Sequence, residues 1–154
     1  MSFLLHLDES RLGEQLIPIF EAFEADVAKA APLFELEGRR LEEIARTLPH
    51  NQSFYDQRAQ EAKQLVKWLD NHLCKIEARM IKNMNAHNSR AFGQRETTAI
   101  ISGEREVVEQ KQLIIEAALI HQKLDSIVEA FKQMGWMLGH ITKLHVASIQ
   151  DVVL

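Results

Sequence analysis

Cysteine, proline and glycine are scarce in this sequence of 154 residues, and each scarcity restricts the structures it can adopt. Cys74 is the only cysteine, so no disulfide can form within the chain, and a reducing compartment is expected. All three prolines precede residue 50, and only four glycines follow it. Because both residue types destabilise helix interiors, a long stretch that nearly lacks them predicts a few long helices.

A long apolar run and a basic amino-terminal segment are also missing. The longest apolar run, residues 113–120, contains Glu116 and falls far short of the ~20 residues that a membrane span needs. The first residues lack the basic region of a secretory signal peptide. We therefore expect no membrane contact and a cytoplasmic location.

The placement of apolar residues, prolines and glycines predicts an all-α fold without strands or internal repeats. We expect two long helices, plus shorter amino- and carboxy-terminal helices, assembled into a homo-oligomer. The expected breaks lie at Pro32, Pro49, Gly103 and Gly135, with Ser53 as the amino-terminal cap of the first long helix. The predicted helices cover residues 18–31, 33–48, 53–85, 96–101 and 104–134, followed by a short helix after Trp136.

Charge divides the chain more sharply than the net value of −4 indicates. Residues 1–56 carry a net −6, residues 57–95 a net +5 and residues 96–154 a net −3. A basic block within an acidic chain is a local surface that attracts anions. We therefore divide the chain into an acidic helical segment, residues 1–52, and a core, residues 53–154, which contains the basic block.

The first long helix is amphipathic, with one apolar stripe and a basic opposite face. Lys67, Lys75, Arg79 and Lys82 fall on that basic face, which is either a binding surface or simply solvated. Trp68 lies among them and is either a stacking platform for a nucleobase or a packing residue.

The second long helix is apolar around most of its circumference, which indicates burial from several sides. A helix of about 45 Å is long for one small subunit to cover, so we predict contacts between more than two copies of the chain. The expected interface residues are Leu113, Ile115, Leu119, Ile120, Leu124, Ile127 and Phe131.

Catalytic motifs are not found in the sequence. It contains no glycine-rich phosphate loop, no nucleophile elbow and no pair of histidines at metal-binding helical spacing. Cys74 is expected to be a structural residue beside the apolar stripe. We predict no catalytic residue, metal site or cofactor. The weaker alternative is a magnesium-dependent all-α nucleotide hydrolase that uses the carboxylate pairs Glu106 with Glu109 and Asp125 with Glu129.

The order of several short segments resembles a known family. KWLDNH (residues 67–72), IEA (76–78), TTAIISGER (97–105), FKQMGW (131–136) and HITKL (140–144) follow one another around a basic stretch and a long helix. In this order they resemble the phage recombination mediator proteins of the UvsY type, over roughly residues 55–150. Members of that family are small helical proteins that form rings, so the resemblance implies a ring for this homo-oligomer, in the cytoplasm of a bacterial host if the gene is carried by a phage. They bind single-stranded DNA and have no enzymatic activity.

The resemblance implies a function in loading a RecA-like recombinase onto strands covered by single-strand-binding protein. The family's basic DNA-contacting stretch falls here on Arg79, Lys82, Arg90 and Arg95. This chain has the shorter AHNSRAFGQ where the family has a tyrosine-rich motif and an acidic insertion, and its acidic first 50 residues exceed the family pattern. Together with the basic face, the candidate DNA-binding residues are Lys67, Trp68, Lys75, Arg79, Lys82, Arg90 and Arg95. The main alternative is a helical adaptor that binds only protein.

Overall fold

Helices make up all the regular structure in the described part of the chain. The computed structural model describes residue 7 and residues 9–36, 38–87 and 93–151, and within them there is no strand. The all-α prediction with two long helices is confirmed. A 3₁₀ turn, Glu9–Arg11, precedes α1, and a second one, Ala31–Phe34, follows it. The four α-helices are α1 (Leu12–Ala30), α2 (Leu41–His87), α3 (Gln94–Ser102) and α4 (Arg105–Asp151).

All four α-helices are longer than predicted, and three of them run through a residue predicted to begin or end a helix. α1 begins at Leu12 and contains Pro18 in its interior, so this proline is not a first-turn residue. α2 runs through Pro49, so the predicted end at residue 48 and the predicted cap at Ser53 are wrong. α4 continues past Gly135 to Asp151, where two separate pieces were predicted.

Side-chain burial explains why α2 tolerates its proline. Proline inside a helix removes one hydrogen bond and costs about 3 kcal/mol. Ile44 and Tyr55, on either side of Pro49, are only 3% and 2% exposed. Burying such side chains contributes about 1.5–3 kcal/mol each, which offsets the proline if the helix stays continuous. On α4, a Cβ built at Gly135 would lie 3.4 Å from Leu48 Cδ2, so the glycine marks a close helix contact and not an end.

The predicted break at Ser102–Gly103 is confirmed. The N–H of Gly103 donates to the Ile100 carbonyl at 3.2 Å, and the N–H of Glu104 donates to the Ile101 carbonyl at 3.1 Å. These bonds close the last turn of α3, and α4 begins at Arg105. The loop was predicted over residues 87–94. In the structure α2 ends at His87, and Gly93 is the amino-terminal cap of α3. Residues 88–92 of that loop lie outside the described residues.

The chain divides into two compact units. The first unit comprises Met1–Pro18 with Glu61–Ile120, and the second comprises Ile19–Gln60 with His121–Leu154. The predicted boundary before residue 53 falls inside α2. Within the described ranges, no helix has both the length and the apolar character to span a bilayer.

The core of the first unit is the apolar stripe of α2 packed against α3 and the start of α4. Ile76, Ile101 and Val107 are buried together. Leu73, Met80 and Met84 are partly buried against them. The amphipathic assignment of the first long helix therefore agrees with the observed packing.

Phe131 lies at the centre of the second unit's core and is fully buried. Its ring centroid lies 4.5 Å from that of Phe34 and 5.5 Å from that of Tyr55. The Tyr55 hydroxyl donates to the backbone carbonyl of Asp26 at 2.9 Å. Arg58 Nε donates to the Asp26 carboxylate at 2.8 Å. This core therefore combines apolar burial with satisfied polar contacts.

The residues predicted to form an interface between copies divide into three groups. The single chain buries Ile120, Leu124 and Phe131. Leu113 and Ile127 are half-buried. Ile115 and Leu119 are 60% and 51% exposed. A single chain thus buries much of α4. Of the seven residues predicted to form an interface, Ile115 and Leu119 remain largely exposed, and the prediction is limited to them.

Candidate nucleic-acid interface

The basic face of α2 in the first unit is the candidate site. Three lysines of this face are exposed, namely Lys63, Lys67 and Lys82. They are separated by about one and about four helical turns, so they lie on one side of the helix. Asn71, Cys74 and Ala78 are exposed between them along the same line. We call these six positions the lysine row. At 1.5 Å per residue the row is about 28 Å long.

No carboxylate interrupts the lysine row. Asp70 is exposed at the edge of the row, three residues after Lys67, and Glu77 is half-buried further toward the apolar stripe. Lys63, Lys67 and Lys82 form no salt bridge with any residue that the structure describes. The positive charges of the row therefore face solvent.

Lys75 and Arg79, also predicted to contact DNA, lie beside the lysine row and are engaged within the unit. Lys75 Nζ donates to Glu9 Oε1 at 2.6 Å. Arg79 donates to the Glu106 carboxylate. The hydrogen bond from Lys75, followed by the positive charges nearby, lowers the pKa of Glu9 below its usual range. Glu9 is therefore ionised at neutral pH.

Trp68 is half-buried and stacks on a neighbour in the same helix. Its ring centroid lies 5.5 Å from that of His72, with 20° between the planes. The His72 side chain is 12% exposed, and its Nδ1 lies 3.2 Å from Gln110 Oε1. Gln110 Nε2 in turn donates to the Leu69 carbonyl at 2.9 Å. This geometry gives Trp68 a packing contact and leaves part of its surface open.

Two predicted residues, Arg90 and Arg95, follow α2 in the sequence. Arg95 is exposed in the first turn of α3. Arg90, and Phe92 in the same segment, lie outside the described residues. Cys74 is exposed on the lysine row, so its predicted position beside the apolar stripe is wrong.

A cleft of about 580 Å³ opens in the first unit beside Lys75 and Arg79. Its lining includes Glu9, His72, Glu106, Glu109 and Gln110. The third of these glutamates, Glu109, accepts from Arg105 Nε at 2.6 Å, and this hydrogen bond raises the arginine's pKa. Each carboxylate of the cleft therefore faces a cation of the protein.

Three of the four carboxylates named for the hydrolase alternative are paired with cations of the protein. Glu106 and Glu109 are bound to arginines as described, and Glu129 Oε2 accepts from Lys132 at 3.3 Å. Across the described residues, no three His, Cys, Asp or Glu side chains are grouped so that they could hold a metal ion.

Sequence reasoning missed Lys63 and the acidic partners Glu9 and Glu106. Lys63 carried a signal, because it continues the spacing of Lys67 along the exposed side of α2. Glu9 lies 66 residues from Lys75, and Glu106 lies 27 residues from Arg79, so helical spacing could not indicate these pairs.

Comparison with protein-family models, with curated proteins and with solved structures finds no match for this chain.

Proposed function

We propose that the protein binds single-stranded DNA through the lysine row of α2, by the phosphate backbone and without reading sequence. The observation that carries this proposal is the row itself, with three exposed lysines along about 28 Å and no carboxylate among them. A linear set of cations suits the regularly repeated charges of a nucleic-acid strand. Trp68, beside the row and partly open, is placed to stack on an unpaired base.

Affinity for one subunit is expected to be low. Three lysines neutralise about three phosphates, which corresponds to a salt slope of about −2 for a single strand. Several joined subunits would repeat the row and raise the overall affinity through effective concentration. We therefore propose that the active form is a homo-oligomer of more than two subunits.

The exposed apolar side chains of α4 in the first unit support this assembly. Val108, Ile115 and Leu119 are 51%, 60% and 51% exposed and lie on one side of the helix. Apolar side chains grouped in this way mark interaction surfaces.

The proposed biological role is that of a recombination mediator, which follows from the resemblance to UvsY-type proteins. A binder with moderate affinity, many contacts and no sequence preference can hold a strand locally and release it. Such a protein would help a RecA-like recombinase to assemble on DNA covered by single-strand-binding protein. Its effect on naked DNA would be small.

A titration with a fluorescently labelled oligonucleotide across a salt series tests the binding proposal. Replacing Lys67 and Lys82 together with Ala should weaken binding and reduce the salt slope by about 1.4 per contacting subunit, since about 0.7 is lost for each phosphate contact. Replacing Lys132 and Lys143 together with Ala is the matched control, because both are exposed helical lysines of the second unit. Equal effects of the two changes would refute the lysine row as the site.

The mediator role is tested by recombinase ATP turnover on strands coated with single-strand-binding protein. We expect stimulation on coated DNA and little on naked DNA. DNA binding without stimulation would refute the mediator role and keep the DNA-binding proposal.

A protein-only adaptor is the second candidate, and exposed apolar residues in the second unit favour it. Trp136 and Leu144 on α4 are 76% and 70% exposed. If the wild-type protein shows no salt-dependent DNA binding, these side chains become the first residues to test for protein partners.

A further inference from the structure

Lys75 and Arg79 lie one helical turn apart on α2, and each meets a glutamate from another element of the first unit. Glu9 comes from the 3₁₀ turn Glu9–Arg11, and Glu106 comes from the first turn of α4. Both cations lie next to the lysine row but are neutralised, whereas the lysines of the row are not. One face of α2 thus carries cations that are paired with glutamates beside cations that are exposed to solvent.

The two glutamates are anchored by features that do not depend on DNA. Glu9 Oε2 lies 3.9 Å from His72 Nε2, so its carboxylate is close to two basic side chains. Glu106 occupies the first turn of a 47-residue helix, where the helix dipole favours a negative charge. Both carboxylates are therefore held at the edge of the cleft, facing Lys75 and Arg79.

We propose that Glu9 and Glu106 stand in for two DNA phosphates, so that Lys75 and Arg79 form a masked extension of the lysine row. This inference rests on the proposed function. Single-stranded DNA first binds the exposed lysines of the row. It engages the masked pair only when its phosphates displace the two carboxylates. The glutamates thus act as internal competitors that limit how tightly each subunit holds the strand.

Exposure of the ion pairs makes this exchange feasible. The side chains of Lys75 and Glu9 are 67% and 49% exposed, and those of Arg79 and Glu106 are 58% and 50% exposed. Ion pairs at such exposure contribute little to stability, so they can open without unfolding the unit. Phosphate is a good replacement, because it accepts two parallel hydrogen bonds from a guanidinium as a carboxylate does.

Glu9→Gln and Glu106→Gln test the inference in the full-length protein, because they remove the charge and nearly keep the shape. We expect each variant to bind a labelled single strand at least threefold more tightly than the wild type at moderate salt. The salt slope should become steeper by about 0.7 for each cation released to phosphate. Circular dichroism and a thermal melt would establish that the fold is retained.

Glu109→Gln is the matched control. Glu109 lines the same cleft and is paired with an arginine, but Arg105 lies on α4 and not on the basic face of α2. Its neutralisation should leave DNA affinity nearly unchanged. An equal gain from all three variants would overturn the inference, because it would show only a general reduction in negative charge.

A double-mutant cycle with Lys75→Gln identifies the cation that is released. This change should weaken binding less in the wild type than in the Glu9→Gln variant, where it should cancel the gain. If the wild type binds DNA and neither glutamine variant binds more tightly, the inference fails and the proposed function stands. If neither the wild type nor the variants bind DNA, the proposed function fails and the inference falls with it.

Discussion

Phe131→Ala should be among the most destabilising single changes in the second unit. The side chain has no exposed surface and contacts the rings of Phe34 and Tyr55. Removing a fully buried phenylalanine costs about 3–5 kcal/mol, which combines lost transfer free energy with the cavity left behind. Since a domain is stable by only about 5–15 kcal/mol, the variant would lose a large part of its stability.

Urea unfolding followed by circular dichroism measures this loss. For a chain of this length 1 kcal/mol corresponds to about 2–4 °C, so a loss of 4 kcal/mol would lower the melting temperature by about 8–16 °C. Phe54→Ala is the control, because Phe54 also contacts Tyr55 but is 42% exposed. We expect it to cost less than half as much, since much of its surface already meets water.

The same experiment decides whether Phe131 serves the subunit or an interface between copies. Replacing a core residue lowers the free energy of unfolding by the same amount at every protein concentration. Replacing an interface residue has an effect that depends on protein concentration. Equal losses for the two phenylalanine variants, or a loss at Phe131 that changes with concentration, would refute its assignment to the subunit's core.

Three further predictions concern other parts of the chain. Ile115→Asp should reduce the mass measured by light scattering while the fold is retained, because Ile115 is exposed in the subunit; an unchanged mass would exclude this face from the assembly. Tyr55 is the only tyrosine, and burial, followed by the negative charge of Asp26, raises its pKa, so its tyrosinate absorbance should titrate above the usual pKa of about 10. Because the unfolded chain releases this proton first, stability should decline as pH rises from about 10 through the folded-state pKa, and a midpoint at the ordinary value would contradict this. Gln110→Met should lower the free energy of unfolding by about 1–3 kcal/mol, because it leaves His72 Nδ1 without its hydrogen-bond partner, and a thermal melt measures this loss. Gln112→Met, at an exposed position of the same helix, should lower it far less.

The helical class and the break at Gly103 could be predicted because they depend on local signals. Glycine destabilises a helix interior, and α3 ends at Ser102, directly before Gly103. Pro49 and Gly135 were misassigned for the opposite reason. Their local preference against helix is overcome by packing within the second unit, where Gly135 approaches Leu48 closely. Packing partners distant in sequence cannot be identified from helical spacing.

The candidate site shows the same division between local and distant contacts. The exposed side of α2 follows from helical spacing, so the positions of Lys67 and Lys82 were predictable. The pairing of Arg105 with Glu109, four residues apart, has a sequence signal of the same kind. The contact of Lys75 with Glu9 depends on how the amino-terminal turn packs on α2. The positions of charged residues in the sequence do not predict that packing.

Gln110 gives the first unit a single alignment of α4 on α2. Apolar helix faces tolerate sliding, because one leucine or isoleucine contact replaces another with little change in free energy. The side chain of Gln110 is 4% exposed, and its amide is bonded to the Leu69 carbonyl and to His72. A shift by one turn, about 5.4 Å, would bury that amide without these partners, at a cost of about 1–3 kcal/mol. One buried polar residue thereby selects the register in which two long helices assemble.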